Sequence, residues 1–388
     1  MMTFFRRVFG SRLWLLAGLI VFVLPLAAQQ APASSVNVNV NANVVNVLAT
    51  VRDKHGKLAT DLEQSDFVLQ EDGRPQTIRS FSRESGSPLT LGLLVDTSRS
   101  QRENLDQERS AGPGFLNQAV REDKDKAFLI HFDREVELLQ DLTGSHDKLA
   151  AALNQLETPP QFGHEPGDSA GSGDEGSGRG SSRGGGTLLY DAIYLASTEL
   201  MQKQQGRKVL ILFSDGVDRE SKTTLSHALE TAQRADTVVY AILSPSRREY
   251  EEGGGRRGGM GGGGPWGRQG GGYPGGGYPG GGYPGGGGGR RSPSEEQHPD
   301  GKKILDRIAK ETGGRMFEVS KKQTVEQIYQ QIQDELKAQY RLGFTPDRAV
   351  TDSDYHKIQL TTKKKDFTVQ AREGYYPMAP DTKAADAK

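Results

Sequence analysis

Cysteine is missing from all 388 residues. Its absence excludes disulfides and the lipid-bearing thiol of a bacterial membrane anchor, so packed cores alone must hold the fold. Net charge is missing too. Lys and Arg total 49 against 50 Asp and Glu, a formal charge of -1, which gives no electrostatic case for nucleic acid or an anionic membrane surface as partner. The N-terminal apolar run, Leu13 to Leu26, is shorter than the ~20 residues that a spanning helix needs, and Pro25 interrupts it. Hydrophobic residues make up 34% of the chain, enough for one or two cores, and the 50 glycines must then lie outside them.

What is present begins with Arg6, Arg7 and Arg12, the apolar run, and the small residues Ala27 and Ala28. This order predicts a secretory signal over residues 1–28 and a mature chain from near Gln29, secreted or periplasmic, with no integral membrane span after cleavage. Next, "VNVNVNANVVNVLATV" alternates apolar and polar residues from Val36, with a slip between Val44 and Val45 that suggests a bulge. With "DFVLQ", "EDGRP" and "QTIRSFS" it predicts a small β module over residues 29–86.

From Pro88 the pattern becomes strands alternating with helices, the signature of an α/β fold: a doubly wound, mostly parallel sheet with helices on both faces. The strands are "LTLGLLVD", "KAFLIHFD", "KVLILFSD" and "TVVYAILS". Helices are expected after Ser100, around His146 to Leu156, and over Leu188 to Gln204, Thr223 to Ala235, Lys302 to Thr312 and Val325 to Ala338. Gly112, Pro113 and Gly114 predict a break or kink in the first of these helices. The unit spans residues 87–340, and disordered Gly-rich inserts are expected at 163–186 and 249–294, the second holding "GGYPG" around Tyr273, Tyr278 and Tyr283. A C-terminal strand extension at 341–378 and a disordered tail at 379–388 complete the chain. The strands of both flanks are expected to pair into one antiparallel unit, because three short strands alone have a marginal core.

The inserts also contain chance motifs. "GDSAG", Gly167 to Gly171, matches a nucleophile elbow, and "GSGDEG", Gly171 to Gly176, matches a dinucleotide fingerprint. Neither follows a strand, and both chemistries need a strand-to-helix turn to present the serine or the glycines.

The chemically informative stretch is "LLVDTSRSQREN", where an apolar strand ends in Asp96, Ser98 and Ser100 at alternate positions. Oxygens so spaced, in the loop after a strand's C-terminal end, can converge on a point in the crevice where open α/β sheets bind ligands. Two hydroxyls and a carboxylate suit a hard cation such as Mg²⁺. Asp96 capping the following helix accounts for the same residues. Two further stretches join the first: "GGGTLLYDAI", with Thr187 at the start of a helix, and "VLILFSDGVD", which ends a strand in Ser214, Asp215 and Gly216.

In this order and spacing the three stretches resemble the metal-ion-dependent adhesion site of von Willebrand factor type A domains. The resemblance implies hydroxyl ligands from Ser98, Ser100 and Thr187, with Asp96 and Asp215 contacting the metal directly or through water. Arg99 stands where that family usually has glycine. Hydroxyl ligands with few direct carboxylates leave the ion underneutralised, so the resemblance implies a protein partner that supplies an acidic residue to the metal. With no cysteine and no histidine in the motif, Mg²⁺ or Mn²⁺ is expected over Zn²⁺. The flanks, "DKHGKLATDLEQSDFVLQEDGRPQTIRSFS", "QYRLGFTPD" and "HKIQLTTKKKDFTVQAREGYYP", resemble bacterial, acidobacterial-type proteins related to the same family. Hydrolysis would need a base, and the nearest residues by sequence, His131 and Asp133, read as the end of a strand. The expectation is therefore no enzyme but a metal-dependent binder. The alternative is a structural cell-envelope protein in which the metal only stabilises the fold.

Overall fold

The computed structural model describes residues 44–158, 186–244, 300–347 and 354–377. The signal segment, the alternation over 36–43, nearly all of both Gly-rich tracts, the two chance motifs and the tail lie outside these residues.

The central element is a six-stranded sheet. Its strands are β5 (Leu89–Asp96), β6 (Lys126–Phe132), β7 (Val136–Thr143), β8 (Arg207–Ser214), β9 (Thr237–Leu243) and β10 (Met316–Glu318), in the order β10-β9-β8-β5-β6-β7. All neighbours run parallel except β7, which folds back antiparallel on β6. Every residue of β5 and of β9 is buried, as expected where helices cover both faces of a parallel sheet.

Alternate residues then serve opposite layers. Leu91, Leu93, Val95, Ile211 and Phe213 pack under α1 (Leu105–Ala119), α2 (His146–Leu153) and α6 (Val325–Lys337). Leu94, Phe128, Ile130, Leu210 and Leu212 pack under α3 (Leu189–Leu195), α4 (Leu225–Arg234) and α5 (Gly301–Thr312). Gly92 lies within this second layer, where a Cβ would come 2.3 Å from Phe128 Cζ and 2.5 Å from Leu210 Cδ2.

Four of the strands and the six helices fall where the sequence predicts them, with one correction. α1 does not break: it is a single helix with Pro113 inside it. Proline removes one backbone donor, but α1 is held by tertiary packing of Leu105, Ala111, Phe115 and Leu116 rather than by that one bond. Gly112 has its own packing reason, since a Cβ there would come 2.9 Å from Leu153 Cδ1 on α2.

Both chain ends build the second β layer pair. β1 (Val45–Asp53) lies between β11 (Tyr340–Phe344) and β13 (Phe367–Ala371), with β4 (Ile78–Arg83) outside β11. β2 (Phe67–Glu71) pairs with β3 (Arg74–Gln76) and β12 (His356–Thr362), and β12 pairs with β14 (Gly374–Tyr375). The flanks therefore pair as expected, antiparallel throughout, and form two facing four-stranded sheets around one core. Val47, Val51, Phe67, Leu69, Leu342, Phe344, Ile358 and Leu360 fill the space between them. The Tyr340 hydroxyl, buried in that core, donates to Ala59 O at 3.0 Å and accepts from Leu62 N at 3.1 Å, tying the β1–β2 connection to the first strand after α6. Buried Glu335 of α6 pairs with Arg52 of β1 and, at 3.1 Å, with Arg315.

Candidate metal centre

The register of the central sheet brings the motif residues together. β5 and β8 run side by side, Val95 opposite Phe213, so Asp96 and Ser214 end their strands as neighbours and Asp215 follows at once. This is the C-terminal edge of a parallel sheet, between strands whose crossovers leave in opposite directions. Asp96 is fully buried and Asp215 only 6% exposed.

Each oxygen of Asp96 has a donor. Ser98 N donates to Oδ1 at 2.9 Å, closing a turn that sets the Thr97–Ser98 backbone, and Ser214 Oγ donates to Oδ2 at 2.7 Å. Ser98 Oγ and Ser100 Oγ are 3.0 Å apart, so their hydroxyls face one point beside Asp96. Behind Asp215 the chain turns at Gly216, φ +80, where a Cβ would come 2.3 Å from Gly301 O; only glycine lets the start of α5 approach this closely. Val217 N donates to Asp215 Oδ1 at 3.1 Å.

Thr187 is buried and is strapped in place through its backbone. Its carbonyl accepts from Arg219 N at 3.0 Å, and the next residue's N–H, Leu188, donates to Asp133 O at 2.9 Å. It precedes α3 by two residues rather than opening it. Its hydroxyl makes no hydrogen bond to Asp96, Ser98, Ser100 or Asp215 among the described residues. Asp96, Ser98 and Ser100 are thus joined by hydrogen bonds, Asp215 acts on Asp96 through its charge, and Thr187 is brought to the same edge by the loops on either side.

Burial first, and then the charge of Asp215, push the Asp96 carboxyl up to about 7. No basic side chain is among the groups acting on it. Two buried carboxylates at one sheet edge with hydroxyls but no counter-ion form an oxygen-only donor set suited to a hard divalent cation. Among the described residues no group of three or more His, Cys, Asp and Glu could hold a metal ion, here or elsewhere, so the candidate set is two carboxylates completed by hydroxyls.

Sequence reasoning missed Ser214. It was visible in "FSDG", but only the register shows that it faces Asp96; Gly216 N donates to its Oγ at 3.0 Å, which aims its proton at the carboxylate. His131 and Asp133 lie beside the site: His131 Nδ1 is 3.1 Å from Thr97 Oγ1, its Nε2 is 3.1 Å from Glu137 Oε2, and Asp133 Oδ1 accepts from Glu135 N.

Residues 91–218 match the family model of the von Willebrand factor type A domain. The chain therefore contains a domain of that class, and the match takes in all five motif residues. Among solved structures, an aerotolerance-related membrane protein from Bacteroides fragilis is similar over 64% of this chain and 98% of its own, at 12% identity and a TM-score of 0.37. BatB from Bacteroides thetaiotaomicron is similar over 65% of this chain and 97% of its own, at 13% identity and a TM-score of 0.36. Proximal thread matrix protein 1 from the mussel byssus, with a zinc-occupied MIDAS motif, is similar over 42% of this chain at 15% identity and a TM-score of 0.32; this chain spans 37% of that protein's length. No curated protein matches the chain. No helix among the described residues is long and apolar enough to cross a membrane.

Proposed function

We propose that this is an exported binding protein whose von Willebrand factor type A domain captures a protein partner through a divalent cation, Mg²⁺ or Mn²⁺, held by Asp96, Ser98, Ser100, Thr187 and Asp215. The observation that supports it is the pairing of two buried carboxylates without a counter-ion, beside two hydroxyls 3.0 Å apart. A bound cation supplies Lewis acidity toward an incoming carboxylate and neutralises Asp96 and Asp215. Ser214 and Ser98 N hold Asp96 in one orientation, Gly216 and Gly301 fix the turn behind Asp215, and exposed Ser100 lies on the side open to a partner. Export rests on the N-terminal arginines, apolar run and alanines. Among the described residues no histidine hydrogen-bonds a motif oxygen, and His131 is engaged with Thr97 and Glu137, which favours binding over hydrolysis.

The same buried carboxylates favour a second reading, in which the cation only stabilises the fold of a cell-envelope protein. Two measurements separate them. Calorimetric titration with Mg²⁺ should show binding to the wild type and none to an Asp96→Ala, Asp215→Ala double variant. Affinity capture from envelope extract should then recover a partner with Mg²⁺ and lose it with chelator. Equal Mg²⁺ binding by both proteins removes the site, while binding without any cation-dependent capture leaves the structural reading.

A further inference from the structure

Arg99 sits between the two hydroxyl residues Ser98 and Ser100, in a short turn that Arg102 closes by donating its N–H to Arg99 O. Both arginines are exposed, and neither forms an ion pair or side-chain hydrogen bond among the described residues. The neighbouring loops repeat the pattern. Exposed Arg134 follows β6 in the turn whose Asp133 carbonyl accepts from Leu188 N, and exposed Arg219 donates its own N–H to the Thr187 carbonyl. Thus three loops at one edge of the sheet each present arginine around the motif. Acidic residues on these loops are mostly committed: Asp133 accepts from Glu135 N, while Asp218 accepts from Ser221 Oγ and Tyr190 N. Exposed Glu103, Glu135 and Glu220 share these loops with the four arginines.

Arg99 adjoins both hydroxyl residues in sequence, and a single partner carboxylate coordinated to the cation leaves the Arg99 and Arg102 guanidinium groups open to a further acidic group. Guanidinium groups pair with carboxylates through two parallel N–H···O bonds, a geometry a lone metal-bound carboxylate cannot offer while it coordinates. We propose that Arg99, with Arg102, reads a second acidic side chain next to the metal-bound one, so that the site selects a segment carrying adjacent acidic residues over a segment carrying one. This inference rests on the metal-site reading and specifies its partner. Because the arginines are exposed, their effect falls on encounter rate and selectivity and weakens with salt.

The test uses the full exported chain with Mg²⁺ and two fluorescent Gly-Ser peptides, identical except that one bears a single Asp and the other Asp-Asp. Fluorescence anisotropy should show Mg²⁺-dependent binding of both, with Asp-Asp tighter by about fivefold, the scale of a bidentate pair at an exposed site. The preference should shrink in Arg99→Gly, shrink again when Arg102→Ser is added, and fade in high salt. Equal Mg²⁺-dependent affinity for the two peptides, or a preference unchanged in the double variant, overturns the inference and leaves the metal site intact. Binding of neither peptide with Mg²⁺ overturns both.

Discussion

Asp96 is the residue on which the chemistry of the site turns, and it gives the site a pH signature. Its carboxyl is pushed up to about 7, against the usual 3.8, by burial and then by Asp215. Between those two values the folded chain keeps a proton that the unfolded chain has released, so this group makes stability fall as pH rises through that window. Glu108, buried in α1 and accepting from the Tyr329 hydroxyl, is also pushed up to about 7 by burial and adds the same sign. In cation-free protein, the difference in melting temperature between wild type and Asp96→Asn should therefore decline from pH 4.5 to pH 7, while Glu108→Gln removes a separate part of the slope. Saturating Mg²⁺ should abolish the Asp96 part and, at about a hundred times Kd, add about 2.7 kcal/mol of stability. A pH-independent difference between wild type and Asp96→Asn would remove the buried-carboxylate account. At this scale the carboxylates and Ser98 and Ser100 were legible because spacing alone puts them in one loop or at strand ends. Ser214 was not, because its role depends on the pairing of β5 with β8, which no local pattern encodes.

Among the elements, the fully buried strands and the amphipathic helices could be read from hydrophobic periodicity, since each satisfies its own pattern. β7 and β10 could not. β7 is an edge strand with no fully buried residue, whose half-buried and exposed positions do not alternate cleanly and whose register shifts against β6, and β10 has three residues. Pro113 misled for a related reason: a local rule predicted a break or kink in α1, and packing carries the helix through without a break. Replacing it with alanine restores a backbone donor in mid-helix, so Pro113→Ala should stabilise the protein by about 1 kcal/mol in urea unfolding, part of the intrinsic gain being lost to the freer unfolded chain. Destabilisation would show that α1 needs the proline's shape. Gly92→Ala should act the other way, costing about 1–3 kcal/mol, because the new Cβ meets Phe128 and Leu210 in a filled layer. A neutral result in the same unfolding assay would mean that layer can yield.

For the molecule as a whole, the pairing of its two flanks decides what folds with what. β1 and β2 each depend on strands that follow α6, so removing Ala349 to Lys388 strips β12, β13 and β14 and takes Ile358, Leu360 and Tyr375 from the core between the sheets. Hydrogen exchange should then show β1 and β2 amides losing protection while β5 and β8 keep theirs. Unchanged protection in β1 and β2 would mean that the N-terminal strands stand alone. Flank pairing was foreseeable from the marginal core of either end, but its division into two sheets was not, because facing layers need contacts between residues far apart in sequence. The register Tyr340 opposite Arg83 has a mechanical side as well. The chain enters the α/β unit from β4 and leaves it into β11, adjacent strands at the end of the sheet remote from Asp96. A pull exerted by a tethered partner at the motif would load β5 along its length, where its ladders with β6 and β8 must slide past one another together rather than unzip one bond at a time. The load would then divide between two covalent exits fastened side by side, so the sandwich would bear it as a base and not as a hinge.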